Sequence, residues 1–230
     1  MADSEKKTII SLFAHPDDEL GAIGTLANHA ERGDRVIMAW TTYGELTTLL
    51  PDLSPEEIKK ERKRHTEEIA KIVGAESSYI LGFGDGKVEN TNEQRVEVAK
   101  FYATNKPDAV ISWGFFNIHS DHKNTGYLAF EAIKFARIKN IVNMEPHRKN
   151  VTFLSYYESI VNLPIKYVDI TSAIEQAKAA IDFYSEIYDW KEADDWFYTR
   201  RRNYGMEANC KFAEKFNVRF DFSKPSRYVV

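Results

Sequence analysis

The 230-residue sequence contains very little cysteine and no long apolar run. Its single cysteine, Cys210, excludes an intrachain disulfide and a cysteine-rich zinc site, and it suits a reducing cytoplasm. No apolar stretch of roughly 18 residues occurs, and the polar segment 1–7 lacks the apolar centre of a signal peptide. We therefore expect a cytoplasmic protein without a membrane span.

The sequence also lacks a basic excess. The formal net charge is -4, and the one basic run, residues 59–64, is interleaved with glutamates at helical spacing. That pattern is typical of a solvated helix face, so the sequence argues against nucleic acid as a partner. Hydrophobic residues make up 43%, which is enough for a sizeable core, and the length favours a single domain over residues 1–230.

Apolar strand patterns alternate with helix patterns. The first half has strand patterns at 8–14, 35–42, 78–81 and 108–113, and helix patterns at 20–32, 55–74, 92–105 and 123–139. The second half has strand patterns at 150–157 and 167–170, then helix patterns at 171–188 and 191–210. This order predicts an α/β fold with a Rossmann-like, mostly parallel sheet and helices on both faces. The predicted Rossmann-like core spans residues 8–145, and residues 150–230 are predicted to form C-terminal strands and a helical extension.

The first chemical cluster follows the first strand, where residues 14–19 read Ala-His-Pro-Asp-Asp-Glu. Such charges repel one another unless a cation, a bound proton or bulk water relieves them, and a divalent metal is the most economical explanation. His15 and Asp18 are three residues apart and can share one ion, while Asp17 projects differently and can act as a base. The simpler alternative is a helix start whose carboxylates, Glu19 among them, complement the dipole. Glu19 could instead contact His15 without binding the ion and fix the orientation of its imidazole.

The second cluster follows the strand at 108–113 and contains His119, Asp121 and His122. Because ligand sites lie at the carboxyl ends of parallel strands, both clusters should share one edge of the sheet. A catalytic zinc keeps three protein ligands and one open position, so we choose His122 as the third ligand. His119 then remains a free imidazole that Asp121 orients. The alternative is a loop histidine beside a capping aspartate.

Two histidines and a carboxylate around one ion, with a spare carboxylate and a spare imidazole, favour metal-assisted hydrolysis. Zn²⁺ suits these ligands, as do Fe²⁺ or Mn²⁺. Asp17 would accept the proton of the attacking water, and His119 would face the developing oxyanion. Either Asp17 or His119 could protonate the leaving amine. A nucleotide-binding module and a catalytically inactive sugar-binding protein are the non-enzymatic alternatives.

Both clusters resemble the paired signatures of the LmbE/PIG-L-type N-acetylglucosaminyl deacetylases. The supporting segments are 42–45, 64–67, 81–86, 201–205 and 212–216, so the resemblance runs from about residue 8 to 216. It implies a Rossmann-like sheet, a single zinc ion and removal of acetyl from an N-acetylglucosamine-type sugar. It also implies that His15, Asp18 and His122 bind the ion and that Asp17 is the base. His119 would be the oxyanion partner, and Asp121 would orient it. Ser120, Phe212 and the pair Asn209-Cys210 depart from the family pattern, which puts substrate choice in question more than catalysis.

An acetylated amino sugar or glycoconjugate needs fixed polar groups that recognise its hydroxyls. The candidates are Arg64, Glu45 and Asp85. Arg64 could equally be an arginine on an exposed helix face with no role in the site. The aromatic residues of the C-terminal helices favour a core or subunit interface over a sugar-lined entrance. The resemblance makes a homo-oligomer, such as a hexamer, one expectation. An amidase acting on another sugar-linked amide, such as a thiol-sugar conjugate, is the nearest enzymatic alternative.

Overall fold

The computed structural model describes residues 6–220 and contains a seven-stranded sheet with the order β3-β2-β1-β4-β5-β7-β6. Its strands are β1 Thr8–Phe13, β2 Arg35–Trp40, β3 Ser77–Ile80, β4 Ala109–Ser112, β5 Thr152–Tyr156, β6 Ile165–Asp169 and β7 Ala213–Phe220. The first five strands pair in parallel, and β7 is antiparallel to both of its neighbours. The mostly parallel α/β fold predicted from the sequence is therefore confirmed. The predictions that fall on residues 1–5 and 221–230 lie outside the described residues.

Helices cover both faces of this sheet. They are α1 Ile23–Arg32, α2 Pro55–Val73, α3 Asn92–Asn105, α4 Ser120–Phe135, α5 Lys139–Val142, α6 Ile174–Tyr188 and α7 Ala193–Ala208. The side chains of β1 alternate between two hydrophobic cores. Ile9 and Phe13 pack with α1, α2, α6 and α7, whereas Ile10 and Leu12 pack with α3 and α4. A strand that is buried on both faces explains the continuous apolar run in the sequence.

The boundaries of α2 show how local sequence sets an element. Ser54 caps the helix and forms a reciprocal capping box with Glu57, and Pro55 occupies the first helical position. Gly74 ends the helix with a φ of 79°, a left-handed conformation that favours glycine. The sequence predicts this helix at 55–74, which agrees with the observed helix to within one residue.

Strand β7 is the main element that sequence reasoning missed. It lies between β5 and β6, although its residues follow those of α7. Glu214, Lys215 and Asn217 are buried within it, so its sequence lacks a plain apolar pattern. Two helix boundaries also differ from the prediction, because α1 begins after a short 3-10 turn at Asp18–Gly21, and α4 begins at Ser120.

The aromatic residues of the C-terminal helices mostly belong to the core, as the sequence favours. Tyr184, Tyr188 and Phe197 are buried in the cluster that covers one face of the sheet. Helices α6 and α7 thus extend the main hydrophobic core. No helix within residues 6–220 is long and apolar enough to cross a membrane.

Candidate metal centre and active site

The polar clusters meet at one edge of the sheet. Strands β1 and β4 are parallel neighbours, so the loops that follow them leave from the same side. The loop after β1 carries His15, Asp17 and Asp18, and the segment after β4 leads into the start of α4 with His119 and His122. All five line one cavity of about 640 Å³.

His15, Asp18 and His122 present three potential ligand atoms to a common point. Nδ1 of His15 lies 3.2 Å from Nε2 of His122, and the same His122 nitrogen lies 3.3 Å from Oδ1 of Asp18. The three ligand atoms all lie within 4.8 Å of one another. Two imidazoles and one carboxylate are a donor set that catalytic zinc uses, with one position left open. The side chains therefore fit a first-row divalent ion.

The charges around these histidines support that fit. Burial disfavours a charged His15, but the carboxylates of Asp121, Asp18 and Asp85 outweigh it and raise the pKa of His15 to about 12. Burial lowers the pKa of His122 to about 4. The carboxylates that favour a positive charge on His15 would equally favour a divalent cation, and binding one would release the proton from that imidazole.

Neighbouring groups fix the orientation of each ligand. Oδ2 of Asp18 accepts hydrogen bonds from the His15 backbone N–H at 2.9 Å and from Nε1 of Trp113 at 2.9 Å. The Trp113 ring stacks on His122, with centroids 4.2 Å apart and planes 6° from parallel. Nε2 of His15, the nitrogen that faces away from His122, lies 3.2 Å from Oδ1 of Asp85. A carboxylate behind a ligand histidine is the usual arrangement that orients such a ring.

Asp121 lies behind both His15 and His119. It is fully buried, its Oδ2 accepts a 2.7 Å hydrogen bond from the Gly86 backbone, and the same oxygen lies 3.4 Å from Nε2 of His15. Asp121, His15 and His119 each offer one potential ligand atom, and these atoms lie within 4.8 Å of one another. Asp121 therefore contacts His15 directly, and its role in orienting His119 stays a prediction.

His119 still lies beside the metal centre. Its ring centroid is 4.5 Å from that of His122 and 5.1 Å from that of His15. The ring lines the same cavity as Asp17. The structure thus brings a third imidazole to the site, as the sequence predicts.

Asp17 lies in the cavity wall with an unusual backbone. Its φ is 117°, and its side chain is 21% exposed. The Arg62 guanidinium donates to Oδ2 of Asp17 at 3.0 Å and also to the Pro16 carbonyl. Burial raises the pKa of Asp17 to about 7, because the opposing effect of Arg62 is partly cancelled by the carboxylates of Asp18 and Glu19. A carboxylate with such a pKa is suited to accept a proton near neutral pH.

Glu19 holds Asp17 rather than His15. Its fully buried carboxylate accepts the Asp17 backbone N–H at 2.9 Å and Nε1 of Trp40 at 2.9 Å on one oxygen. The hydroxyl of Tyr184, on α6, donates to the other oxygen at 2.7 Å. Three donors satisfy this buried group, and they connect the loop after β1 to the C-terminal helices.

Arg62 is the site residue that sequence reasoning missed, and Arg64 is not brought to the site. The Arg64 side chain is 57% exposed and pairs with Glu61 on the surface of α2. Arg62 is 2% exposed and lines the cavity. The signal was the spacing of the buried face, since Arg62 lies four residues after Ile58 on that face of the helix.

Asp85 and Glu45 take different places. Asp85 lines the cavity, and its Oδ2 accepts the Leu46 backbone N–H at 2.9 Å. Glu45 accepts the Asp85 backbone N–H at 3.2 Å, so it ties the loop after β2 to the loop after β3. Glu45 therefore positions the Asp85 loop, and Asp85 is the one that reaches the site.

Both clusters lie in a region that matches a known family. The family described as PIG-L, GlcNAc-PI de-N-acetylase, matches residues 10–133, which is more than half of the chain. The chain belongs to the PIG-L family. The family resemblance that the two signatures carry is thereby confirmed.

Relatives of this PIG-L protein support the same assignment. The diacetylchitobiose deacetylase of Thermococcus kodakarensis is 25% identical, with 94% of this chain and 84% of the relative covered. A solved N,N'-diacetylchitobiose deacetylase from Pyrococcus horikoshii, in complex with its inhibitor, has a TM-score of 0.84 at 26% identity, with 93% and 84% covered. The conserved protein TT1542 from Thermus thermophilus has a TM-score of 0.81 at 28% identity, with 97% of each chain covered.

Proposed function

We propose that this PIG-L protein is a metal-dependent N-deacetylase that removes acetyl from an N-acetylglucosamine-type sugar or glycoconjugate. The observation that carries the proposal is the convergence of His15, Asp18 and His122 on one point, with Asp17 beside it but outside the ligand set. The diacetylchitobiose deacetylases among the relatives support an acetylated amino sugar as the substrate class.

His15, Asp18 and His122 would hold the ion. Zinc is our choice because two imidazoles and a carboxylate are its common catalytic ligands, and Fe²⁺ or Mn²⁺ would suit the same set. When bound, such an ion supplies Lewis acidity and lowers the pKa of a coordinated water from about 15.7 to roughly 7. Trp113, Asp85 and Asp121 keep the ligand side chains in place.

Asp17 would act as the general base. Water adds its oxygen to the acetyl carbonyl carbon and gives a proton to the Asp17 carboxylate, whose pKa of about 7 suits that transfer. Arg62 and Glu19 hold Asp17 in position through its carboxylate and its backbone N–H. The base is thus fixed before the substrate arrives, which lowers the cost of reaching the transition state.

His119 would stabilise the oxyanion, because its exposed imidazole lies beside the ligand histidines. An N–H that faces the developing negative charge is worth several kcal/mol in such reactions, roughly 3 or 4 by mutagenesis elsewhere. The C–N bond then breaks, and the departing amine takes a proton from Asp17 or from His119. The products are acetate and a free amino sugar.

Arg62 and Asp85 are the polar side chains that we propose for sugar recognition. Both line the cavity, and each combines a charged group with fixed partners. Arg64 is left out because it faces away from the cavity in its pair with Glu61. A cytoplasmic location and a homo-oligomer, such as a hexamer, remain part of the proposal on the grounds given by the sequence and the resemblance.

An amidase acting on another sugar-linked amide is the alternative that uses the same residues. It would use the same ion, the same base and the same oxyanion-stabilising residue. It would differ in the substrate that the cavity binds. Acetate release from N-acetylglucosamine and N,N'-diacetylchitobiose, and release of the free sugar amine from a glucosaminyl thiol conjugate, separate the two functions. Turnover of the conjugate alone would favour the amidase.

Metal content and turnover test the proposal together. We expect about one divalent ion per chain in the wild type, since the two groups of three potential ligands at this site share His15. His15→Ala and Asp18→Ala should lose the ion, and Asp17→Asn should keep it while losing most acetate release. Asp195→Asn, an exposed aspartate on α7, is the matched control. Loss of metal in Asp17→Asn but not in Asp18→Asn would reverse our assignment of the two aspartates.

A further inference from the structure

Trp113 contacts two of the three candidate ligands at once. It follows β4 directly, and β4 lies between β1 and β5 in the sheet. Its Nε1 donates to Oδ2 of Asp18 at 2.9 Å, and its ring stacks on that of His122. An indole N–H is a donor and has no free electron pair for a cation. Trp113 can therefore act on an ion only through Asp18 and His122.

The two carboxylate oxygens of Asp18 have different surroundings. Oδ2 accepts the backbone N–H groups of Ala14 at 3.1 Å and His15 at 2.9 Å, in addition to the Trp113 indole. Oδ1 lies 3.3 Å from Nε2 of His122, on the side of the other candidate ligands. Since three N–H donors already use Oδ2, Asp18 offers Oδ1 as its one free oxygen.

Of these three donors, Trp113 is the one from a different part of the sheet. Ala14 and His15 belong to the same loop as Asp18, so their N–H groups move with it. Trp113 is held on two sides instead. Phe13 meets its ring nearly edge-on with centroids 5.6 Å apart, and Tyr156 does so at 5.4 Å. The indole N–H is therefore a fixed donor that holds the Asp18 carboxylate against rotation.

We propose that Trp113 is a positioning residue that makes the metal centre select zinc over manganese, because it holds Asp18 to a single free oxygen. Zn²⁺ is well bound by few ligands in a tetrahedral arrangement, whereas Mn²⁺ favours an octahedron of oxygens. A carboxylate that offers one oxygen suits zinc, and one that can turn and offer both suits manganese. The proposal rests on the proposed function, because it takes His15, Asp18 and His122 to hold an ion.

Trp113→Phe tests the hydrogen bond separately from the stacking. Phenylalanine keeps an aromatic face for His122 but has no N–H for Asp18. Loss of a group that orients a metal ligand costs about 10- to 100-fold in affinity, so we expect the Kd for Zn²⁺ to rise by at least about tenfold. The Kd for Mn²⁺ should rise by less than about threefold, because the released oxygen becomes an additional ligand. The preference for zinc should therefore fall by at least about threefold.

Two further variants separate the effects. Trp113→Leu removes the stacking as well, so it loosens His122 and should weaken the binding of both ions. Trp196→Phe is the matched control, since Trp196 lies on α7 and is 43% exposed. The control should match the wild type for both ions.

Both affinities are measured at equilibrium on the whole chain loaded with metal. A chromophoric chelator competes for Zn²⁺, and the electron paramagnetic resonance of free Mn²⁺ reports manganese binding. The visible absorption of the Co²⁺-loaded protein should weaken in Trp113→Phe, since cobalt absorbs less strongly as its number of ligands rises. Equal losses of affinity for Zn²⁺ and Mn²⁺ in Trp113→Phe would show that Trp113 supports only the fold and would overturn the proposal. Unchanged affinities would overturn it too.

These measurements use no sugar, so they separate this proposal from the proposed function. If Trp113→Phe reduces the preference for zinc but the wild type releases no acetate, the role of Trp113 holds and the deacetylase proposal fails. If the wild type releases acetate but its preference for zinc does not depend on Trp113, the deacetylase proposal holds and the role of Trp113 fails. A wild type that binds neither ion would overturn both.

Discussion

At Asp17 the backbone adopts a φ of 117°, which residues with a side chain rarely take. Such conformations persist where surrounding contacts enforce them, and they are common at active sites. Here the contacts are the buried carboxylate of Glu19 on the backbone N–H and the Arg62 guanidinium on the side chain. Turnover should therefore depend on Glu19, which does not line the cavity, and on the contact of Arg62 with Asp17.

Glu19→Gln tests the backbone contact. The amide oxygen can still accept the Asp17 N–H, but the NH2 group would have to donate to the Tyr184 hydroxyl, so that bond reverses and both bonds lose their charged acceptor. We expect the free energy of unfolding to fall by roughly 1–3 kcal/mol and kcat to fall by about tenfold. KM and metal content should stay near wild type. A variant that kept its kcat but released its metal would show that Glu19 supports the ligands instead.

Arg62→Lys tests the side-chain contact, and Arg64→Lys is the matched control on the same helix. Lysine keeps the charge but cannot bond the Pro16 carbonyl and the Asp17 carboxylate with the same planar fork. We expect kcat/KM to fall by at least about tenfold for Arg62→Lys and to be unchanged for Arg64→Lys. Similar effects of the two substitutions would contradict the placement of Arg62 at the site.

Among the secondary-structure elements, the N-terminus of α1 depends on β7. The Glu214 carboxylate, on β7, accepts the backbone N–H groups of Gly24 at 3.0 Å and Thr25 at 2.8 Å. Arg201, on α7, donates to Glu214 and to the Leu20 carbonyl. A carboxylate at a helix N-terminus is favourable because it meets free N–H groups and the positive end of the dipole. These contacts fix the direction in which the loop after β1 enters its helix.

Glu214→Gln should therefore destabilise the fold. It leaves Arg201 buried without its charge partner, and breaking a buried ion pair costs about 3–5 kcal/mol. Glu56→Gln removes a pair with Lys59 on the solvated surface of α2 and should leave the urea midpoint nearly unchanged. Urea unfolding of both variants measures the difference. Equal midpoints would show that the Glu214 pair adds nothing to stability.

For the whole molecule, buried histidines predict how stability varies with pH. Burial lowers the pKa of His29, His65 and His147, that of His65 to about 4. The unfolded chain takes up these protons near about pH 6.5, so it binds more protons than the folded chain below that pH. Stability should fall as the pH drops from about 6.5 towards the folded pKa values.

His65→Gln isolates one of these histidines. Urea unfolding of the wild type and the variant is measured between about pH 7 and about pH 5, and the two curves are subtracted. Carboxylate titrations cancel in the difference. The variant should lose less stability than the wild type across this range. Parallel curves would show that His65 is protonated in the folded protein.

The sequence predicts those parts of the structure that local patterns of residues determine. Continuous apolar runs mark β1 and β4, and their order along the chain predicts a shared edge that carries His15 and His122. Long-range side-chain pairing leaves no such signal. The contacts of Asp121 with His15 and with the Gly86 backbone depend on the packing of α4 against a loop that is distant in the sequence.

Buried polar residues explain the remaining errors. Strand β7 carries Glu214, Lys215 and Asn217 inside the protein, which hides the alternation that marks a strand. Arg62 was overlooked for the same reason, since an arginine on a charged helix suggests solvent. Arg62 and Glu214 each pair with an opposite charge inside the protein, a role that the sequence pattern does not reveal. Their partners come from distant parts of the chain, so local pattern could not identify them.

The position of β7 has a consequence for synthesis. A ribosome releases β1 to β6 before β7, which is the last strand within residues 6–220 to emerge. Until it does, β6 lacks its neighbour in the sheet and α1 lacks the carboxylate of Glu214. Nascent chains that end before residue 213 should therefore stay incompletely folded, and the loop that carries His15 and Asp18 should reach its working shape among the last parts of the protein.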